Sequence, residues 1–336
     1  MPARPAVLVL AHGELFNDLF PQPVRTKLES FAEARYNDLG RAMTQEELQA
    51  RVSDVAGCIT TWGSPKFTPE VVARAPKLKA VAHAAGTVKP FVSDAVFERG
   101  IVVTSAAPII ARYVGEMALA LTLASLRNLT GHDRVIKDQR GWHDSSLGSP
   151  RTLLEQRVGL IGFGSTGRQF ARVLKPFRVE LLVHDPYIDH SAIKKYGGRG
   201  ATLEEILTTC RVISLHAASI PSTRHLLNAE RLRMIPAGSV LVNTARGGLI
   251  DTAALVAELK TGRFFAALDV FDPDEPLPAD HPLRELANVI LTPHTSGPVR
   301  ERYWEMAMGA VKDIRMVCSG KTPPGAITPE QIARLA

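Results

Sequence analysis

Three kinds of side chain in the second half of the chain could together act on a small acid: Arg246, His294 and a carboxylate between them. They lie in the segments VNTARGGLID (242–251), LDVFDPDEPLP (268–278) and LTPHTSGP (291–298). Hydride transfer to a 2-keto acid needs a cation for the carboxylate and a proton donor at the carbonyl oxygen. Arginine and histidine supply these groups, and a carboxylate beside a histidine favours its protonated form.

The carboxylate has four candidates, because four acids lie at or just after the C-terminal end of one predicted strand: Asp269, Asp272, Asp274 and Glu275. Taken alone, each polar segment also has an ordinary interpretation, as a surface charge, a solvated acidic loop or a structural histidine. All three segments follow predicted strands, however. In an open α/β sheet the carboxyl ends of the strands form the edge that binds ligands. The shared position therefore favours a single site.

The segment VGLIGFGSTGRQFA (158–171) has the spacing of a dinucleotide-binding loop. Gly162 permits a tight turn after a strand, Gly164 lets a pyrophosphate approach the backbone, and Gly167 lets helix and strand pack closely. Asp185 ends the next predicted strand about 20 residues later, where an acid contacts the ribose hydroxyls and repels a 2′-phosphate. The pattern predicts NAD as the cofactor. The alternative is that Asp185 only opens a turn.

Along the chain, short segments rich in β-forming residues alternate with segments whose apolar residues have helical spacing. This alternation of strands and helices predicts parallel sheets with crossover helices. The first series has predicted strands at 6–11, 56–62, 78–85 and 101–106. Predicted helices lie at 24–34, at 44–52 with a Thr44–Glu47 capping box, and at 68–75 with Thr68 as N-cap.

One long helix is predicted over 108–136, followed by a loop at 142–150. A second series then begins, with predicted strands at 157–162, 180–185, 212–217, 239–244, 265–270 and 289–294. The last long helix is predicted from about 300 to about 318. The fold class predicted is thus α/β, with two doubly wound parallel-sheet domains.

Length and composition agree with two domains: the chain has 336 residues, 45% of them hydrophobic, and a formal net charge of +6. No long Lys/Arg run indicates nucleic acid binding. The three cysteines, Cys58, Cys210 and Cys318, are far apart, which favours a reducing, cytoplasmic compartment and argues against a disulfide framework or a metal site. The apolar run at 6–11 is too short for a signal peptide, and no stretch is expected to span a membrane.

From about Leu78 to about Gly309 the chain resembles the D-isomer-specific 2-hydroxyacid dehydrogenases, a family that includes phosphoglycerate, D-lactate, glyoxylate and formate dehydrogenases. The resemblance implies a flavodoxin-like substrate-binding domain, 1–107 plus 299–336, and an inserted NAD-binding Rossmann domain, 108–298. It implies catalytic roles for Arg246 and His294, supported by an acid. The cofactor-binding residues it implies are Gly162, Gly164, Ser165, Thr166, Gly167, Asp185, His216, Ala217, Thr244, Ala245, Asp269 and Gly297, with Asp269 at the nicotinamide carboxamide.

The sequence departs from the family pattern at three places. The acidic loop has one extra residue, so Asp274 keeps the usual spacing and Glu275 keeps the usual context, and Glu275 is predicted as the partner of His294. The loop AAGTVKP keeps only its first residues, so Ala85, Gly86 and Thr87 are predicted to bind the substrate carboxylate. The segment LHAA (215–218) lacks a proline common in the family.

The predicted activity is NAD-dependent reduction of a 2-keto acid, with no metal, nucleic acid or membrane involved. Two other functions remain open: an NAD-sensing binding protein, as in corepressors that resemble this family, and oxidation of a non-carbon acid such as phosphite. A homodimer is predicted, formed through 108–136 and 137–150, because that helix is apolar on more than one face. Residues of the loops 60–65 and 83–89 are predicted to select the substrate side chain.

Overall fold

The computed structural model describes residues 4–332, which form two compact units. One unit contains the residues up to 110 together with those from 298 onward, and the other contains residues 111–297. Each unit has its own parallel sheet, of five strands in the first and seven in the second. The predicted fold class, α/β with two parallel sheets, is confirmed.

The first unit has a sheet in the order β2-β1-β3-β4-β5, with all strands parallel. This is the flavodoxin-like order. Its strands are β1 (Ala6–Val9), β2 (Glu33–Tyr36), β3 (Gly57–Thr60), β4 (Ala80–His83) and β5 (Val102–Ser105). Its first helices are α1 (Gly13–Leu19), α2 (Gln22–Glu29), α3 (Gln45–Arg51), α4 (Pro69–Ala73) and α5 (Asp94–Glu98).

Most local predictions in this unit are confirmed, including the Thr44–Glu47 capping box and the Thr68 N-cap. The helix predicted over 24–34 is wrong at its end, because α2 stops at Glu29 and the chain then forms β2. Strand β2 lies at the edge of the sheet, pairs only with β1 and has no fully buried residue. It therefore lacks the apolar run by which a buried strand is recognised.

The single helix predicted over 108–136 is wrong, because it is divided into α6 (Ala107–Leu126) and α7 (Leu129–Lys137). The break falls at Asn128, whose φ of 46° is left-handed and cannot continue a helix. Helix α6 is also long and apolar enough to cross a membrane by length and composition alone, a test that buried core helices pass as well. Its buried residues include Ala118, Leu121 and Leu126, which pack in the core of the second unit.

The second unit has a sheet in the order β12-β11-β10-β9-β6-β7-β8, again all parallel. Its strands are β6 (Arg157–Ile161), β7 (Glu180–His184), β8 (Gly198–Gly200), β9 (Val212–Leu215), β10 (Val240–Asn243), β11 (Phe265–Leu268) and β12 (Val289–Leu291). Its remaining helices are α8 (Ser165–Leu174), α9 (His190–Lys194), α10 (Leu203–Thr209), α11 (Ala229–Met234) and α12 (Thr252–Leu259). Within this unit, the sequence predicted each described strand except β8, a short edge strand with two glycines.

The strand order of the second unit reverses between β6 and β9, as in Rossmann folds, where the ligand crevice lies at this reversal. The predicted glycine loop follows β6, and the three polar segments follow β10, β11 and β12. The chain then returns to the first unit through α13 (Tyr303–Cys318) and α14 (Pro329–Ile332). Helix α13 contributes Met306, Val311 and Ile314 to the core of that unit.

Candidate active site

A histidine and a glutamate form an ion-pair geometry at the carboxyl edge of the second unit's sheet. Nδ1 of His294 lies 2.7 Å from Oε2 of Glu275, while Oε1 of Glu275 accepts a hydrogen bond from the backbone N–H of Phe271 at 2.7 Å. The His294 side chain is 52% exposed, so its ring can meet a ligand. With Nδ1 engaged, Nε2 is the nitrogen left to exchange a proton with that ligand.

The backbone at His294 is held in an unusual conformation by Asp269. His294 has a φ of 53°, in the left-handed region. The fully buried carboxylate of Asp269 accepts hydrogen bonds from the Thr292 hydroxyl at 2.5 Å and from the N–H groups of Thr295 and Ser296, both at 2.9 Å. Asp269 therefore fixes the loop that presents the histidine. Its predicted contact with the nicotinamide carboxamide stays a prediction.

Arg246 lies in the loop after β10 and is half-buried. Its Nη1 donates to the carbonyl of Ala245 at 2.6 Å, and its own carbonyl accepts from the Asn243 side chain at 2.9 Å. Burial lowers the pKa of the Arg246 guanidinium, and the charge of Glu275 opposes this effect. A partly desolvated cation attracts an anion more strongly than an exposed one.

The Arg246 loop and the Glu275 loop touch through their backbones. A Cβ atom at Gly247 would lie 2.0 Å from the carbonyl carbon of Phe271, so no larger residue fits there without movement. This contact holds the loop that bears Arg246 against the loop that bears Glu275.

A cavity of about 420 Å³ adjoins the histidine–glutamate pair, within the range of about 300–1,000 Å³ typical of small-molecule sites. Its lining is largely apolar and comprises Phe271, Glu275, Pro276, Leu277, Arg284, Leu291, Thr292, Pro293 and His294.

The glycine loop after β6 has the close contacts that its sequence predicts. Gly162 has a φ of 96°, and a Cβ there would lie 2.5 Å from the backbone nitrogen of Ala217. A Cβ at Gly167 would lie 2.5 Å from the carbonyl oxygen of Gly162. Gly164 instead faces open space and precedes α8, whose first residues are Ser165 and Thr166. The first N–H groups of a helix lack intrahelical partners and favour anions.

Asp185 follows β7 and contacts the glycine loop directly. One carboxylate oxygen accepts from the N–H of Phe163 at 2.7 Å, and the other accepts from the N–H of Tyr187 at 2.9 Å. The bond from Tyr187 closes a turn at Asp185, as expected if this residue only opened a turn. The bond from Phe163 also connects Asp185 to the predicted phosphate-binding loop. A carboxylate has lone pairs beyond these two bonds, so a ribose hydroxyl can still donate to it.

Several buried polar atoms at the carboxyl edge of the second unit's sheet lack a hydrogen-bond partner. A bound cofactor would supply partners for them. Among the described residues, Nδ1 of His216 and the hydroxyls of Thr244 and Ser296 are buried and lack a hydrogen-bond partner. Burial also lowers the pKa of His216 to about 3, so its ring is neutral. Ala217, Ala245 and Gly297 are half-buried beside these three. Unpaired buried polar groups are costly without a ligand, so the edge fits a dinucleotide such as NAD.

Ser296 and Asn243 also belong to this edge, and neither was predicted as a site residue from the sequence. Each follows or ends a strand at this edge, which was the available signal.

In the first unit, Ala85, Gly86 and Thr87 follow β4. Ala85 is buried and its carbonyl accepts from the N–H of Ala106 at 3.0 Å. Within residues 4–332, no backbone carbonyl accepts from the N–H of Gly86 or Thr87. Both residues are half-buried, so two donors are available at the carboxyl edge of this sheet.

Comparison with known proteins gives a consistent assignment. Residues 119–296 match the model of the D-isomer specific 2-hydroxyacid dehydrogenase, NAD binding domain. The chain is 33% identical to a glyoxylate reductase of Thermofilum pendens, over 85% of each chain. It is 32% identical to a D-3-phosphoglycerate dehydrogenase of Methanocaldococcus jannaschii, over 84% of this chain but 54% of that protein. A phosphoglycerate oxidoreductase from Rhizobium etli is 26% identical with a TM-score of 0.81, covering 96% of this chain and 98% of that one.

A Rossmann sheet with this glycine loop, joined to a flavodoxin-like unit, defines the class of NAD-dependent dehydrogenases with two α/β domains. Within that class, the chain belongs to the D-isomer specific 2-hydroxyacid dehydrogenase family. It is an oxidoreductase that transfers hydride between NAD(H) and a 2-keto or 2-hydroxy acid. The family, the cofactor and the reaction class predicted from the sequence are thus confirmed.

Proposed function

We propose that this protein reduces a small 2-keto acid with NADH, using Arg246, His294 and Glu275. The observation that carries the proposal is the 2.7 Å contact between His294 and Glu275, with Arg246 near enough for the charge of Glu275 to act on it. Bound NADH supplies the hydride that adds to the carbonyl carbon. The protein's own groups bind the acid, orient its carbonyl and deliver the proton.

Arg246 holds the substrate carboxylate with its planar fork and turns the carbonyl oxygen toward His294. His294 donates a proton from Nε2 to that oxygen as the alcohol forms, and the reverse transfer accompanies oxidation. Glu275 stabilises the imidazolium through Nδ1 and fixes the ring's orientation. Loss of the proton from His294 leaves a neutral ring still hydrogen-bonded to Glu275.

The cofactor is held by the carboxyl edge of the second unit's sheet. The helix N-terminus after Gly164, with Ser165, Thr166 and Gly167, receives the pyrophosphate, and Asp185 receives the adenosine ribose. We assign the nicotinamide end to the orphaned polar atoms and their neighbours: His216, Ala217, Thr244, Ala245, Asp269 and Gly297. The second unit is accordingly the NAD-binding domain, with boundaries near 108 and 298.

The first unit is the substrate-binding domain in this proposal. The available N–H groups of Gly86 and Thr87, beside Ala85, donate to the substrate carboxylate. Trp62, in the loop after β3, is 38% exposed and its ring lies 5.5 Å from that of Tyr303, so this loop offers an aromatic surface to the substrate side chain.

We also propose a cytoplasmic homodimer. The three cysteines are free, which suits a reducing compartment. Four large hydrophobic side chains between residues 129 and 154 are exposed, which indicates a surface that a second copy covers: Leu129, Ile136, Trp142 and Leu154.

The test is a panel of 2-keto acids of increasing side-chain size, assayed with NADH and NADPH by loss of absorbance of the reduced cofactor. The control is His294→Asn, which keeps a hydrogen-bonding side chain but cannot supply the proton. We expect wild-type turnover with at least one acid and loss of it in the variant. A wild type that binds NADH but reduces no acid would favour the NAD sensor, and NADH formation from phosphite would favour the non-carbon acid.

A further inference from the structure

Asp272, one of the acids not assigned to the reaction, is held from two sides. Arg224 contacts both oxygens of its carboxylate, Nη1 to Oδ1 at 3.3 Å and Nη2 to Oδ2 at 3.0 Å. The hydroxyl of Thr252 donates to its backbone carbonyl at 2.7 Å. The side chain of Asp272 is only 22% exposed, whereas that of Arg224 is 55% exposed. The residue is therefore fixed in both its side chain and its backbone.

Phe271, the residue before Asp272, is hydrogen-bonded to Glu275. Phe271 donates its N–H to Oε1 of Glu275, and Oε2 of the same carboxylate contacts His294. The segment 271–275 is thus a closed turn whose position decides where Glu275 meets the histidine ring. Asp272 lies inside this turn, so its contacts restrict where the turn, and with it Glu275, can lie.

Arg224 also touches the loop that bears the substrate-binding arginine. A Cβ at Gly248 would lie 3.1 Å from Nη1 of Arg224, and one at Gly247 would meet the backbone of Phe271. The guanidinium of Arg224 therefore packs where the two loops of the site meet.

We infer that Arg224 is a positioning residue for the acid–base pair, acting through Asp272 to place Glu275 against His294. This inference rests on the proposed function. A bidentate arginine–carboxylate pair restricts orientation because both atoms of the fork must be matched. Because the Arg224 side chain is 55% exposed, the pair contributes little to folding stability. Its contribution is therefore to the geometry of the turn.

The first experiment compares Arg224→Gln with the wild type in keto acid reduction. We expect kcat/KM to fall by about 2- to 30-fold, the range for residues that act through a network, with NADH affinity unchanged within about 2-fold. The alkaline limb of the pH–rate profile should move to lower pH, because a misplaced carboxylate stabilises the imidazolium less. Arg224→Lys, which keeps the charge but lacks the fork, should fall between the two.

A matched control is Arg178→Gln, which removes another exposed arginine of the same unit, paired with Glu155 at 2.8 Å. It should leave both the rate and the profile unchanged. In the double variant, Arg224→Gln should add little to Glu275→Gln, because both act on one contact. A full multiplicative effect in the double variant, or an Arg224→Gln profile identical to that of the wild type, would overturn the inference.

The titration of His294, followed by NMR of ¹³C-labelled histidine, separates this inference from the proposed function. Its midpoint should move to lower pH in Arg224→Gln even if no keto acid on the panel is turned over. The other ionisable groups near this turn are unchanged in the variant: Arg246, Asp274, Arg284 and His225, whose Nε2 lies 3.8 Å from Oδ2 of Asp272. An unmoved midpoint in an active enzyme would remove Arg224 from the mechanism and leave the proposed reaction intact.

Discussion

His294 and Glu275 meet at 2.7 Å between Nδ1 and Oε2, while the other oxygen of Glu275 is held by the N–H of Phe271. The glutamate is thereby anchored at one oxygen and presented to the histidine by the other. Since a carboxylate on Nδ1 favours the protonated ring, this relationship predicts how activity depends on pH.

Glu275→Gln is expected to lower reductase activity and to move the alkaline limb of the pH–rate profile to lower pH. The sign follows because the imidazolium loses its anionic partner, so the proton donor disappears earlier as pH rises. Steady-state rates between pH 5 and 10 give the measurement. Asp274→Asn is the matched control and should have little effect; the opposite pattern in the two variants would assign the pairing to Asp274.

Arg246→Lys is expected to cost about 2–4 kcal/mol in transition-state binding, or about 30- to 1,000-fold in kcat/KM. Lysine keeps the charge but loses the fork that matches a carboxylate. NADH affinity, measured by fluorescence titration, should change much less, because the pyrophosphate and ribose contacts lie elsewhere. An active variant with no loss would remove Arg246 from substrate binding.

Asp185→Ala is expected to narrow the preference for NADH over NADPH. The wild-type carboxylate repels a 2′-phosphate, and its loss also frees the N–H of Phe163, to which it is bonded at 2.7 Å. The ratio of kcat/KM for the two cofactors is the quantity to compare. Equal use of both cofactors by the wild type would contradict the assignment of Asp185 to the ribose.

The protein is expected to be a dimer at micromolar concentration, with a mass of about twice 36.5 kDa by light scattering. Trp142 is 87% exposed and Leu129 is 55% exposed on the same unit, so their replacement should weaken association without unfolding. The variant Leu129→Glu with Trp142→Ser tests this surface. Exposed Tyr187→Ser, outside this surface, is the control. A monomeric wild type would reject the proposal.

Acid is expected to destabilise the first unit through His83. This ring is buried, Nδ1 lies 2.9 Å from the Thr60 hydroxyl, and burial lowers its pKa from 6.5 to about 4. Between pH 6.5 and pH 4, His83 is therefore mostly neutral in the folded state and mostly protonated in the unfolded state. The contribution of the neutral ring to the free energy of unfolding is fully present above pH 6.5 and is lost as the pH falls toward 4. At pH 5 the loss is about 2 kcal/mol.

His83→Gln should lose less stability than the wild type between pH 7 and pH 5, because glutamine does not titrate. Urea unfolding followed by tryptophan emission is suited to this unit, since Trp62 and Trp304 lie within it. Equal losses in the two proteins would show that other groups govern the acid sensitivity.

The sequence alone predicted both parallel sheets, most strands and the caps at Thr44 and Thr68. These features depend on residues a few positions apart, or on apolar runs that must be buried wherever the strand lies. The glycine loop is of the same kind, because Gly162 and Gly167 meet within one strand–turn–helix.

Tertiary structure decided the features that have no local signal. The edge strands β2 and β8 exist through pairing with a neighbour, and neither has a buried apolar run. The long helix breaks at Asn128, and neither this residue nor its two neighbours is a glycine or proline that would predict the break.

The site shows the same division. Residue types and spacing predicted Arg246, His294 and an acid, because each follows a strand whose carboxyl end lies at one edge. The sequence context also favoured Glu275 over Asp274 as the partner of His294, and these two side chains lie 2.7 Å apart. Which loop Asp269 fixes and which arginine pairs with Asp272 were decided only by the fold. Arg224 and Asp272 are 48 residues apart, and Asp269 and Ser296 are 27 apart. Contacts at such separations depend on the order of the strands in the sheet and on how adjacent loops pack, which no local pattern specifies.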